Sequence, residues 1–174
     1  DENLFLKGIR GEGNNIVRRG ISSFYTKQRV RLVTAYKFAE ENNMMVVGSA
    51  HKSEDMVGLY VKFGIDDLAD LMPIKYFYRS QILQLAEYLD VPEAILARSP
   101  NPDLIPGISD KYKDILEISA DNVDLILCGI ENNMGENEIS EQLDIDISKV
   151  KMVRELIDIT YHMRNPSMAP EIDL

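Results

Sequence analysis

Along this chain the apolar and polar positions fall into blocks that predict helices around one short strand. Residues 7–23 (KGIRGEGNNIVRRGISS) carry four glycines and no apolar periodicity, which predicts a loop. Phe24 to Asn43 then turns helical: Leu32, Tyr36 and Ala39 share one face, with Val30 and Val33 beside it. Met44 to Val47 is an uninterrupted apolar run, the pattern of a strand buried on both faces. Tyr78 to Leu89 predicts a further helix with Ile82, Leu85, Ala86 and Leu89 on its apolar face. Pro92 suits the first helical position of a short helix, PEAILA. SPNPDLIPG reads as a proline-punctuated loop, after which Ser109 or Asp110 can cap the next element. Val123 to Ile130 turns Ile126, Leu127 and Ile130 inward, with Cys128 as an inert small residue near that face. The C-terminal third predicts two more helices, the second capped by Ser148 and running to about His162.

A helix, a short buried strand and another helix make the rhythm of an α/β fold. We therefore expect a single domain over residues 1–174: a loop over 1–23, an α/β core over 24–130 and a helical tail over 131–174. With 174 residues and 45% apolar composition the chain can bury one core. Its formal charge of −10 argues against a generic nucleic-acid or anionic-membrane surface, and leaves room for a local cationic pocket. A single cysteine excludes an internal disulfide framework and fits a reducing, cytoplasmic setting. No apolar run approaches the roughly 20 residues that span a bilayer. The first residue is Asp, and Leu4-Phe5-Leu6 begins mid-pattern, as in a piece of something longer.

The candidate chemistry lies just past the predicted strand, in GSAHKSE (Gly48 to Glu54). Ligands of open α/β sheets bind beyond the carboxyl ends of the strands. There Gly48 and Ser49 can offer an N–H and a hydroxyl to phosphate oxygens. Glu54, about one helical turn further, is placed to share a Mg²⁺ with those phosphates. Two widely separated histidines and one cysteine make no zinc ligand set. The same residues also have plain structural readings: His51 and Glu54 as the exposed face of a helical turn, Arg29 and Arg31 as helix solvation, Lys62 as a surface lysine. Asn101 between prolines suits a turn, and Asp70 suits a cap.

Longer motifs add to this. QRVRLVTAY (Gln28 to Tyr36), GSAHKSE, GLYVKFG (Gly58 to Gly64), DLMP from Asp70, YRSQILQLAEYLDVPEAI, SPNPDL and YHMRNP follow one another in order from Arg29 to Pro166. In that order they resemble the NAD synthetase family, ammonia-dependent amide ligases of the N-type ATP pyrophosphatase superfamily. The resemblance implies an α/β fold with a parallel sheet flanked by helices (adenine nucleotide alpha hydrolase-like, Rossmann-like) and extra C-terminal helices. It implies ATP as co-substrate, Mg²⁺, deamido-NAD and ammonia as partners, a homodimer, and neither nucleic acid nor membrane. By the same resemblance Ser49, Arg79 and Asn101 meet ATP, Glu54 carries the metal, and Arg29, Lys62, Asp70, His162 and Met163 hold deamido-NAD. Asp66 is a candidate for the family's acid in KFGID.

The departures from the family pattern are specific. The S-G-G-x-D-S pyrophosphate loop is not in these residues, so the chain reads as the C-terminal part of a larger synthetase-like domain. Arg79 replaces a lysine, Asn101 a threonine, Val61 a threonine and Met163 a lysine, and the family's late acid pair is Asp110-Lys111, a charge reversal. These changes fit a diverged, non-catalytic nucleotide-binding relative as an alternative. A second alternative is a helix-turn-helix DNA-binding regulator: Glu138 to Ile157 has its spacing, with Lys149, Lys151 and Arg154 on the second helix.

Overall fold

Helix α1 runs from Asn15 to Glu41 in the computed structural model, which describes residues 15–100 and 109–165. It thus starts well before Phe24, and the loop expected over 7–23 is corrected for residues 15–23. Among those positions Asn15, Arg18, Arg19, Gly20, Ser22 and Ser23 are exposed, and so polar a face gives no apolar stripe to reveal the helix. Leu32 and Ala39 are buried as expected, whereas Val30 and Val33 stand out in solvent at 57% and 67% exposure. The helix ends at Asn43 in the left-handed region (φ 51°), with Met44 N–H returning to the Ala39 carbonyl at 2.8 Å.

The extended segment that follows pairs in parallel with Leu71 through Val47 alone. Gly48 N–H donates to Leu71 O at 2.9 Å and Asp70 N–H to Val46 O at 3.0 Å. Among the described residues this bridge is all the sheet there is, and Met44, Met45 and Val47 are more than half exposed. The strand expected to be buried on both faces is therefore corrected. An apolar run satisfies the burial side of a central strand, but the strand also needs ladder partners, which its own sequence cannot supply.

Helix α2 (Lys52–Val57) follows, then α3 (Arg79–Tyr88) and the short α4 (Glu93–Leu96), which Pro92 precedes as cap rather than opens as first residue. Of the four residues expected on the apolar face of α3, Leu85 and Leu89 (at its end) are exposed and Ile82 and Ala86 are partly covered, as is Leu83 beside them. Asp110 caps as expected: its carboxylate accepts from the N–H groups of Tyr112 (2.9 Å) and Lys113 (3.1 Å), opening a π-helical turn over Tyr112–Leu116.

Helix α5 (Ala120–Glu131) is the centre of the packing. Ser119 caps it by accepting from Asn122 N–H, and Val123, Ile126 and Leu127 are wholly buried against Val57, Tyr112, Leu116, Ile139 and Val150. Cys128 lies on the outer face instead and is exposed. Helices α6 (Glu136–Leu143) and α7 (Ile147–Ile159) close the core with Ile139, Val150, Val153 and Leu156. The cap of α7 is Asp146, which accepts from Ser148 N–H at 2.7 Å, so Ser148 is a receiver of capping and not its source. The chain breaks at Thr160 before a last turn, α8 (Tyr161–Arg164). No helix among the described residues is long and apolar enough to cross a membrane.

Candidate functional site

Two clusters contain sequence-predicted site residues, each held by the packing of α2. The first surrounds Glu54. Helix α2 is fixed at its start by Lys52, whose N–H donates to Phe77 O at 3.0 Å and whose ammonium meets Glu131 at 2.6 Å over the Tyr78 ring. Ser53, fully buried, accepts from Arg79 N–H at 2.9 Å and so ties the start of α3 to α2. Glu54 next to it is enclosed, and its Oε1 is in direct contact with the Lys111 ammonium. His51 Nε2 lies 3.5 Å from the same oxygen.

The reading of His51 and Glu54 as an exposed face is corrected: their side chains are only 12% and 16% exposed. Burial, with the positive charges of Lys111 and Arg79, pushes His51 down to about 3, so the ring is neutral at pH 7. Burial also pushes Lys111 down to about 8, and the Glu54 carboxylate is the partner that favours its charged form. Ser49 is exposed, just beyond the parallel bridge. Asn101 lies outside the described residues.

A divalent cation does not fit Glu54 as the chain folds here. The oxygen that would bind it already faces an ammonium and an imidazole nitrogen. Among the described residues no group of three His, Cys, Asp or Glu side chains is placed to hold a metal ion.

The second group joins α1, the loop after α2 and α8. The Arg29 guanidinium donates to the Lys62 carbonyl at 3.2 Å and lies 5.8 Å from the centre of the Tyr25 ring. The Lys62 ammonium donates in turn to the carbonyls of His162 and Asn165, the latter at 2.8 Å. Arg29, Lys62 and the backbone of His162, predicted to share one ligand, therefore lie together, while the His162 ring turns to the Ile159 carbonyl at 3.1 Å. Met163 is half-buried on the same short helix. The Arg164 guanidinium pins that helix to α2, donating to Asp55 O (3.3 Å), Met56 O (2.9 Å), Thr160 Oγ1 (2.9 Å) and Ile157 O.

Asp70 does something different. Its carboxylate accepts from Val46 N–H at 2.8 Å and from the Tyr36 hydroxyl at 3.4 Å, which fastens the bridge segment to α1. Asp66 is half-buried, and burial raises its carboxyl against the pull of Arg31.

Sequence reasoning gave no role to Lys111 or Arg164. The signal for Lys111 was there, as a lysine in place of an acid. What the sequence lacks is any local hint that this lysine reaches Glu54. Arg164 stands within YHMRNP, but its partners are backbone carbonyls, which carry no side-chain identity.

Similarity to known proteins runs through most of the chain. The NH(3)-dependent NAD(+) synthetase of Coprothermobacter proteolyticus is 39% identical over 150 residues, which is 83% of this chain and 50% of that protein. That of Thermotoga maritima is 34% identical over 160 residues, 92% of this chain and 54% of that protein. The chain thus spans about half the length of the curated relatives it matches. Among solved structures, an NMN synthetase from Francisella tularensis superposes with a TM-score of 0.71 at 22% identity, over 97% of this chain and 62% of that one. An NH3-dependent NAD synthetase from Campylobacter jejuni, in complex with the nitrate ion, gives a TM-score of 0.61 at 21% identity, over 97% of this chain and 61% of that one. At these identities the likeness is one of fold. The family model described as NAD synthase matches residues 12–167, and the chain belongs to the NAD synthase family.

Proposed function

We propose that this chain is the C-terminal part of an ammonia-dependent NAD synthetase domain, and that the whole protein amidates deamido-NAD at the expense of ATP. The observation that carries the reading is that Arg29, Lys62 and the backbone of His162 lie together, brought from three separate elements. Two cationic side chains beside the short C-terminal helix suit the charges of a dinucleotide. Ser49 and Arg79 take the ATP side, beyond the bridge segment and at the start of α3. Asn101 joins them by the family pattern alone, and Asp70, Asp66 and Met163 join the deamido-NAD side.

In this reading the nicotinate carboxylate oxygen attacks the α-phosphorus of ATP and pyrophosphate leaves. Ammonia nitrogen then attacks the acyl carbon, the bond to AMP breaks, and a proton is released. The demand on the protein is to offset the negative charge gathered as carboxylate meets phosphate. Lys62, Arg29 and Arg79 provide positive charge locally in a chain whose formal total is −10. The family's Mg²⁺ has no ready place at Glu54, and no step here passes through it.

The same reading takes the bridge at Val47 as an edge of the parallel sheet, a homodimer that covers the exposed apolar positions Val30, Val33 and Phe38 of α1, and a cytoplasmic reaction. A DNA-binding role is not favoured: of the cations on the would-be recognition helix, Lys149 is paired with Glu117 and Arg154 with Glu136. The test is pyrophosphate release from ATP by the full-length protein, with and without deamido-NAD. Release that depends on deamido-NAD, with NAD formed on adding ammonia, is expected. A folded protein that binds ATP and releases none is a non-catalytic relative, and the synthetase reading fails.

A further inference from the structure

We propose that Lys111 is a tethered cation that stands in place of a divalent ion at Glu54, so that a nucleotide's phosphate chain meets the protein's own ammonium there. This deepens the proposed function and rests on it for the identity of the ligand.

Three observations carry it. The Lys111 ammonium touches Glu54 Oε1, and the two side chains are only 14% and 16% exposed, so the contact is not a mobile surface pairing. The backbone beside Lys111 is held firmly. Its N–H donates to Pro100 O at 3.3 Å, Asp110 caps the next two residues, and Tyr112 is wholly buried. The second group on the carboxylate is His51, whose Nε2 lies at 3.5 Å and whose Nδ1 is buried without a hydrogen-bond partner. Glu54 therefore faces nitrogen groups where Mg²⁺ would need a near-octahedral shell of oxygens.

An ammonium and a divalent ion repel each other and compete for the same lone pairs. The lysine carries half the charge of the ion, but it is covalently supplied, and its desolvation is met in folding rather than on binding a ligand. Such a buried pair adds little net stability, so its consequence is electrostatic: the Lys111 ammonium offsets the Glu54 carboxylate, and Arg79 at the start of α3 adds a positive charge beside it. The ligand class that answers this is a polyphosphate, either inorganic pyrophosphate or the phosphate chain of a nucleotide.

The experiment counts Mn²⁺ sites on the full-length protein by titration calorimetry with the metal alone, so that nucleotide binding plays no part. Wild type and Glu54→Gln are expected to bind the same number of ions. Lys111→Gln is expected to gain one, and Glu54→Gln in that background to remove it. Loss of a Mn²⁺ site on Glu54→Gln in the wild-type background, or no gain in Lys111→Gln, overturns the proposal. A second arm needs no variant. Wild-type protein should bind ATP in chelator with a Kd within about tenfold of that in Mg²⁺, a gap of about 1.4 kcal/mol, and a larger loss counts against the tethered cation. Failure to bind ATP under either condition strikes the synthetase reading instead, and the Mn²⁺ count still decides the role of Lys111.

Discussion

Gly58 is where a single added methyl group should do most harm. It ends α2 in the left-handed region at φ 71°, and a Cβ built there would fall 2.3 Å from Thr160 Cγ2 and 2.7 Å from Thr160 Cβ. Thr160 is 1% exposed and cannot swing away, because its hydroxyl is held between the Leu156 carbonyl and Arg164. Gly58→Ala therefore meets two costs. Holding a non-glycine residue in this backbone region costs about 1–2 kcal/mol. Forcing a methyl into a filled space costs about 1–3 kcal/mol. Together they predict a loss of about 2–5 kcal/mol, a large share of the about 5–15 kcal/mol that holds a typical domain. Urea unfolding of the full-length protein measures it, as a lower midpoint at unchanged slope. The costs separate in a double variant: Thr160→Ser deletes the nearest clashing carbon, keeps the hydroxyl, and should return part of the packing loss but none of the backbone term. A Gly58→Ala protein within about 0.5 kcal/mol of wild type, the range of an ordinary surface change, would refute the reasoning. So would a double variant no more stable than Gly58→Ala alone.

Two further outcomes follow from the same region. His51 is held neutral with its folded value near 3, against 6.5 for an unperturbed ring, so the unfolded chain binds the extra proton between those values. Stability must then fall as pH drops below about 6.5, by up to about 1.4 kcal/mol per pH unit from this group. His51→Gln should flatten the stability-against-pH curve in that window, and an unchanged slope would show the ring to be freely protonated in the fold. Arg164→Met should cost about 3 kcal/mol by orphaning the carbonyls of Asp55, Met56 and Ile157. Arg164→Lys should recover little of it, since a point charge cannot replace the planar fork; thermal unfolding that finds the lysine variant equal to wild type would contradict this.

What the sequence made legible was whatever one element decides for itself. The apolar spacing of 123–130 found the helix that became the centre of the core, and the Asp110 cap followed from a short polar side chain ahead of a helical turn. The ordered motifs grouped Arg29, Lys62 and His162 by resemblance, and the fold brings Arg29, Lys62 and the His162 backbone together. Features decided by partners stayed hidden. On the first turns of α1, Asn15, Arg18, Arg19, Gly20, Ser22 and Ser23 are exposed and give no stripe. The run at 44–47 looked like a central strand because its composition suits one, yet a sheet is built by neighbours. Asp146 took the cap from Ser148 because it lies on the non-helical side of the boundary, a difference finer than spacing resolves. Lys111 was visible as a reversed charge and invisible as the partner of Glu54, because only the fold brings the two together.

The tie between Lys62 and the His162 carbonyl spans 100 residues of sequence, and that between Arg164 and Asp55 spans 109. A chain made at about 5–20 residues per second exposes Lys62 some 5–20 s before His162 exists. Through that interval α2 and the loop after it have emerged without the α8 segment that pins them. Closing so long a loop is entropically slow, and its reward comes only when the ends meet. The cluster that joins Lys62 and α2 to α8 thus takes shape only once residues 162–165 are made, and a ribosome that stalls before residue 162 releases a product without it.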